Sequence, residues 1–182
     1  MSTYAAFLRG MNVGGHRISN DDLRAHFEEL GCGEVRMFRA SGNVIFAAAG
    51  EEAEEELSVR IEAGLAAALG YEVAVFLRAA SEIRTIAAHR PFADSLIEAS
   101  KGKLQVVMLT ARPAARVRKG VLALASDEDR LAFGERELFW LPSGGILESA
   151  LDFKSIGTLL GSITTRTKGT VDQLATKYFS YG

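Results

Sequence analysis

Cysteine is nearly absent from this chain: Cys32 stands alone among 182 residues, so no internal disulfide can form and no cysteine-rich structural zinc site is available. Histidine is scarce too. His16, His26 and His89 have no partners at ligand spacing, so no metal site and no cofactor are expected. No apolar run approaches the roughly 20 residues needed to cross a bilayer, and Met1-Ser2-Thr3-Tyr4 lacks the basic start and long apolar run of an export signal. A cytoplasmic protein with no membrane partner is expected. A large excess of either charge is missing as well. The net charge of −2 supplies no overall attraction for nucleic acid or an anionic surface, leaving only local patches to consider. Among nucleotide-binding signatures, neither the Gly-Lys-Ser/Thr ending of a P-loop nor three spaced glycines opening directly into a helix occurs.

What is present is a chain that is 48% hydrophobic and 24% charged, enough to bury a core as one domain or as two small ones. Tyr4 to Leu8 is an apolar strand ended by the glycine-rich Arg9-Gly10-Met11-Asn12-Val13-Gly14-Gly15. Ser19-Asn20-Asp21-Asp22 then supplies a capping side chain and an acid three residues later. Leu23, Phe27 and Leu30 give the following helix its inner face, and Gly31 ends it. Glu34 to Arg39 and Val44 to Ala48 flank Ala40-Ser41-Gly42-Asn43 as a hairpin. Carboxylates at Glu51, Glu52 and Glu54 to Glu56 open a second helix, where the helix dipole favours negative charge, and Leu57, Ile61, Leu65 and Leu69 line its inner face as far as Gly70. Tyr71 to Leu77 reads as a fourth strand.

This strand-helix-strand-strand-helix-strand order matches the ferredoxin-like split motif. It sends the loop after the first strand and the hairpin turn to the same end of one sheet, gathering Arg9, Asn12, Arg39, Ser41 and Asn43. From residue 80 onward the pattern begins again. Glu82 to His89 reads as a short helix ended before Pro91, Leu104 to Leu109 as a strand and Ala114 to Ala125 as a helix. Arg130 to Phe133 and Glu137 to Leu141 form a hairpin, Ile146 to Leu160 is partly helical, and Thr170 to Phe179 is a terminal helix with Thr170 and Gln173 as its capping box. The expected organisation is α+β, with a ferredoxin-like domain over 1–79 and a second α+β domain with a C-terminal helix over 80–182.

Several of these motifs carry a resemblance. Leu8-Arg9-Gly10-Met11-Asn12-Val13-Gly14-Gly15, Leu23-Arg24, Leu30-Gly31, Ser41-Gly42-Asn43-Val44-Ile45-Phe46, Pro91-Phe92 and Thr164-Thr165-Arg166 resemble the bacterial domain-of-unknown-function family 1697 over nearly the whole chain. The resemblance implies two tandem ferredoxin-like halves with mostly antiparallel sheets, and no established activity. Members of that family often continue after Thr-Thr-Arg with Asn-Trp-Asn-Thr, where this chain has Thr167-Lys168-Gly169-Thr170.

The candidate ligand-binding residues are Arg9, Asn12, Gly14, Gly15, Arg39, Ser41, Asn43 and Arg166. Glycines let backbone amides approach an anion, and Arg9, His16 and Arg17 add positive potential. The competing reading is that glycine, serine and asparagine only shape turns. Arg166 is the residue to expect against an acidic ligand, although arginine serves structural ion pairs equally well. Lys101, Lys103, Arg112, Arg116, Arg118 and Lys119 form a basic stretch, but the aromatic pattern of a sheet that stacks RNA bases is missing, so a solvated face is the simpler reading. Cys32 reads as an inert turn residue and Trp140 as core. The expected function is a binding or regulatory module for a small anionic or polar ligand, with a homo-oligomer allowed and nucleic acid disfavoured. The alternatives are an enzyme acting on a small phosphorylated or acylated substrate, with no assignable catalytic residue, and a weak RNA binder.

Overall fold

Both faces of the first strand are closed to solvent. Along β1 (Ser2–Arg9) the consecutive residues Ala5, Ala6, Phe7 and Leu8 are buried in the computed structural model, which describes residues 1–39 and 42–180. A strand buried on both sides must be pinned from both sides. It pairs antiparallel with β3 (Asn43–Ala48), Phe7 opposite Asn43, and with β4 (Ala74–Ala79), Arg9 opposite Ala74. β2 (Gly33–Met37) joins the far edge of β3, giving the order β2-β3-β1-β4. A bulge between Gly33 and Arg36 breaks the β2–β3 register, and Glu34 takes a positive φ of 47° there.

The helices of this sheet start and stop where the sequence punctuates them. At α1 (Asn20–Glu29) the Ser19 hydroxyl accepts from the Asp22 amide at 3.0 Å and donates to the Asp22 carboxylate at 2.7 Å. At its other end Gly31 has a φ of 83°. The Gly31 amide bonds the Glu28 carbonyl at 2.9 Å and the Cys32 amide bonds that of Phe27 at 3.1 Å, the paired bonds of a Schellman cap. α2 (Glu54–Leu69) runs to Gly70 and turns Leu57, Ile61 and Leu65 inward. These meet Leu23 and Phe27 of α1 and Ala6, Leu8, Val44, Phe46, Val75 and Leu77 of the sheet in one core. Arg60 clasps Glu52 through Nε and Nη2 and donates from Nη1 to the Leu30 carbonyl, which ties the end of α1 to α2. Those hydrogen bonds hold the Glu52 carboxyl below its ordinary value.

The second sheet has the same strand order in its own numbering. β5 (Gln105–Leu109) is central, β7 (Glu137–Pro142) and β8 (Ile163–Thr167) flank it, and β6 (Asp129–Phe133) lies beyond β7, all antiparallel. Val107, Leu109 and Leu138 of this sheet pack with Val121 and Ile156, which come from two helices. Those helices are numbered once the two before them are placed. α3 (Ala80–Ala88) follows β4 directly and α4 (Asp94–Ala99) comes next, so α5 (Ala115–Leu122) supplies Val121 and α6 (Phe153–Leu160) supplies Ile156. A single 3-10 turn at Ile146–Glu148 precedes α6, and α7 (Lys168–Tyr178) follows β8. Among the described residues the chain is therefore α+β, with two four-stranded antiparallel sheets and seven α-helices.

By contact the chain divides into two units, one of residues Met1–Arg84 with the chain end from Tyr178, the other Thr85–Lys177. This differs from the consecutive 1–79 and 80–182 division. α3 spans the division, and the last turn of chain belongs to the first unit, where Phe38 meets Tyr178 edge-on at 6.0 Å and the Phe179 carbonyl accepts from Arg84.

Three readings of the second half need correction. β8 is missing from the residue-by-residue reading, which gives strand-helix-strand-strand, although the family resemblance implies a further strand; β8 makes the half strand-helix-strand-strand-helix-strand. Its sequence, Ile163-Thr164-Thr165-Arg166-Thr167, carries one large apolar residue and so gives no hydrophobic alternation. The helix α4 was also unexpected. Finally, α7 begins at Lys168, with the Thr167 hydroxyl accepting from the Thr170 amide at 3.2 Å, so Thr167 occupies the capping role read at Thr170.

A buried polar cluster fixes the second core. The Trp140 indole donates to Asp129 at 2.8 Å, the Ser149 hydroxyl donates to the same carboxylate oxygen at 2.7 Å, and the Trp140 ring meets Phe153 edge-on at 4.7 Å. Trp140→Phe keeps most of the ring's bulk but removes one donor from a buried carboxylate, so it should cost about 1–3 kcal/mol. Urea unfolding followed by circular dichroism measures this, and an unchanged midpoint would show the bond to be dispensable.

Candidate functional site

At the carboxyl end of β1 the chain enters a loop over residues 10–19 that is anchored on its inner side. The Tyr71 hydroxyl donates to the Met11 carbonyl at 2.8 Å, and the His16 ring stacks on Tyr71 with centroids 4.2 Å apart and planes 25° apart. The His16 amide closes a turn onto the Val13 carbonyl at 3.2 Å. Gly10 has a φ of 89°, and a Cβ placed there would come within 3.3 Å of the Glu72 carbonyl, so the loop presses against the chain entering β4. Outward the same loop is open. Gly14 and Gly15 take φ values of 65° and 82°; a Cβ at Gly15 would meet nothing within 4 Å, and one at Gly14 only His16 at 3.8 Å.

The loop's polar side chains divide sharply from those of the hairpin. Asn12, His16 and Arg17 are exposed, and neither Asn12 nor Arg17 makes a side-chain hydrogen bond or ion pair with any described residue. Arg9 is exposed at the last position of β1. Asn43, by contrast, is 1% exposed, and its amide donates to the Phe38 carbonyl at 3.1 Å while the Phe38 amide donates to the Asn43 carbonyl at 3.0 Å. This side chain closes the hairpin, as turn chemistry suggests. Arg39 is exposed with a φ of 61°; its guanidinium lies 5.5 Å from the Phe38 ring centre, and its carbonyl accepts weakly from Asn20. Ser41 lies outside the described residues. Gly42 has its carbonyl bonded by the Leu8 amide at 2.9 Å, and a Cβ added to it would meet Met11 at 2.9 Å, so hairpin and loop share one end of the sheet.

Arg166 belongs to the second unit, half-buried in β8, where Nη1 donates to the Thr164 hydroxyl and the Thr165 carbonyl, both at 2.9 Å. Burial pushes its guanidinium down to about 10, which still leaves it charged at neutral pH. In the basic stretch of that unit, Arg112 pairs with Glu135 at 3.1 Å and Arg118 lies 5.4 Å from the Phe133 ring centre, while Phe139 and Trp140 are buried. An open cleft lined by Leu96, Ser100, Arg130, Leu141 and Pro142 has its polar groups engaged with the fold: the Ser100 hydroxyl donates to the Pro142 carbonyl, and Arg130 faces Asp127 at 3.6 Å. Among the described residues no three His, Cys, Asp or Glu side chains form a metal-binding group, and no helix is long and apolar enough to cross a membrane.

What the sequence underrated is Tyr71. Read there as the first residue of a strand, it lies before the observed start of β4 at Ala74 and serves as the loop's anchor. No motif marks it, because the bond joins residues 60 positions apart.

Two four-stranded antiparallel sheets with helices define an α+β protein whose distinguishing surface is an anchored, glycine-rich loop. The profile of a protein family of unknown function, DUF1697, matches residues 1–139, and the chain belongs to that family. Its structure is similar to that of the conserved bacterial protein SP0830 from Streptococcus pneumoniae, with a TM-score of 0.72, 19% identity and 97% of each chain covered, a likeness of fold. No curated protein matches the chain.

Two measurements check this site. Tyr71→Phe should lower stability by about 0.5–1.5 kcal/mol and speed hydrogen exchange at the His16 amide, whereas unchanged exchange would mean that the loop is held elsewhere. Burial pushes the Cys32 thiol up to about 11. Folding stability linked to it is therefore full below the unfolded thiol's ordinary value and is lost as pH rises toward 11. Native protein at pH 8 should react with a disulfide reagent far more slowly than unfolded protein, and comparable rates would contradict the burial.

Proposed function

We propose that this protein is a cytosolic binding or regulatory module that holds a small anionic ligand on the loop following β1. The observation that carries the reading is the contrast within one loop: a backbone fixed by Tyr71 and, facing water, Asn12 and Arg17 with no partner among the described residues. A binding site benefits from such pre-organisation, since little ordering remains to oppose association. Arg9 and Arg17 supply positive charge, and Gly14 and Gly15 leave the backbone open to close approach. Asn43 drops out of the ligand set because its amide is committed to the hairpin. A cytosolic setting is supported by the single, buried, unbridged cysteine.

We also read each unit as a ferredoxin-like half. The two orders β2-β3-β1-β4 and β6-β7-β5-β8, each with a helix after its first and third strands, support this.

A thermal-shift screen of phosphates and carboxylates tests the binding reading. A ligand at 100 times its Kd adds about 2.7 kcal/mol, which for a chain of this size raises Tm by roughly 5–10 °C. Arg17→Ala and Arg9→Ala should each diminish that shift. If both variants keep the full shift for every hit, the loop is not the site.

A further inference from the structure

We infer that the anion bound at this loop carries a planar ring, as in a nucleoside monophosphate, and that the ring lies on His16. The inference rests on the anion-binding reading above and adds the class of ligand.

Its basis is the stack at His16. Tyr71 is half-buried and held through its hydroxyl, so its ring is a fixed base, and His16 lies almost parallel on it at 4.2 Å. His16 is itself exposed, making the imidazole the outer layer of a two-ring stack that a third ring can extend. Stacking on an aromatic platform accepts any base, because every base has a π-face. Next to this platform the chain supplies the groups for the rest of a nucleotide. Arg17 follows His16 directly and has no partner among the described residues. Arg9, paired opposite Ala74 and on the face of β1 turned away from the core that Tyr71 packs against, adds positive charge at the same end of the sheet. Asn12 adds an exposed amide able to donate to and accept from a ring edge. Inorganic phosphate alone would use the cations and leave the stack idle.

The test is calorimetric titration of the full chain, at fixed ionic strength, with adenosine 5′-monophosphate, ribose 5-phosphate and inorganic phosphate. The nucleotide should bind about 5- to 100-fold tighter than ribose 5-phosphate. His16→Ala should erase that preference and leave ribose 5-phosphate binding within about twofold of the unaltered chain. His16→Phe, which retains a stacking ring, should keep the preference. Arg17→Ala should weaken nucleotide and sugar phosphate alike. Circular dichroism confirms that each variant folds. Equal affinity for nucleotide and ribose 5-phosphate overturns the ring inference while the anion site stands. A nucleotide preference that survives His16→Ala also overturns it. If none of the three compounds binds, the inference and the anion-binding reading fall together.

Discussion

The pairing of β1 with strands on both sides is the constraint from which the candidate site follows. Because Phe7 is held opposite Asn43 on one side and Arg9 opposite Ala74 on the other, the end of β1 cannot shift without breaking two ladders of hydrogen bonds. A slip of one residue would also turn Ala6 and Leu8 out of the helix-side core and bring Phe7 and Arg9 into it. Placing Arg9 in that core would strand a charge in apolar surroundings, a cost that fixes the register. Arg9 is thus the point where the sheet hands the chain to the loop, and Tyr71, just upstream of the strand paired with Arg9, is brought within reach of Met11 and His16 by the same register.

This geometry explains why the two polar turns at one end of the sheet have different duties. The hairpin between β2 and β3 must reverse the chain within a few residues, and its buried carbonyls need donors. Asn43 supplies one to Phe38, and the Leu8 amide supplies one to Gly42. Asn43 is accordingly drawn inward. The loop after β1 is longer and is anchored by a side chain from outside itself, so Asn12 and Arg17 are left without partners among the described residues.

Much of the first unit was legible because its signals are local. Ser19 with Asp22, and Gly31 after Leu30, state the limits of α1 within a few residues, and the apolar spacing of Leu57, Ile61 and Leu65 states the inner face of α2. β8 was not legible. Threonines at 164, 165 and 167 around Arg166 give no contrast between faces, and the strand exists because β5 offers Gln105 to Leu109 as partners. Without that strand Arg166 reads as a cation for an acidic ligand, whereas β8 half-buries it beside Thr164. The placement of Arg9, Asn12 and the hairpin at one sheet end came from topology, while the division between committed and uncommitted polar groups needed side-chain partners. Asn43 and Asn12 are the same residue type beside the same kind of turn. Only the Phe38 carbonyl, which one of them meets, separates them.

The two units together supply a control on whether the loop is merely a connection. Both arrange four strands in equivalent order, and in both the first strand leads into a helix. In the second unit that passage, from Leu109 to Ala115, takes the five residues 110–114, a usual length for such a turn. In the first unit the same passage, from Arg9 to Asn20, takes the ten residues 10–19. Chain reversal therefore accounts for about half of them. The added length contains Gly14, Gly15, His16 and Arg17, which together cost backbone entropy to order and bury little apolar surface. Beside them Val13 is 65% exposed, while Met11 and Ile18, nearer the ends of the loop, pack with the first core. Core packing therefore accounts for Met11 and Ile18 but not for the exposed residues 12–17 between them, which a tyrosine 60 residues away helps to fix through the Met11 carbonyl.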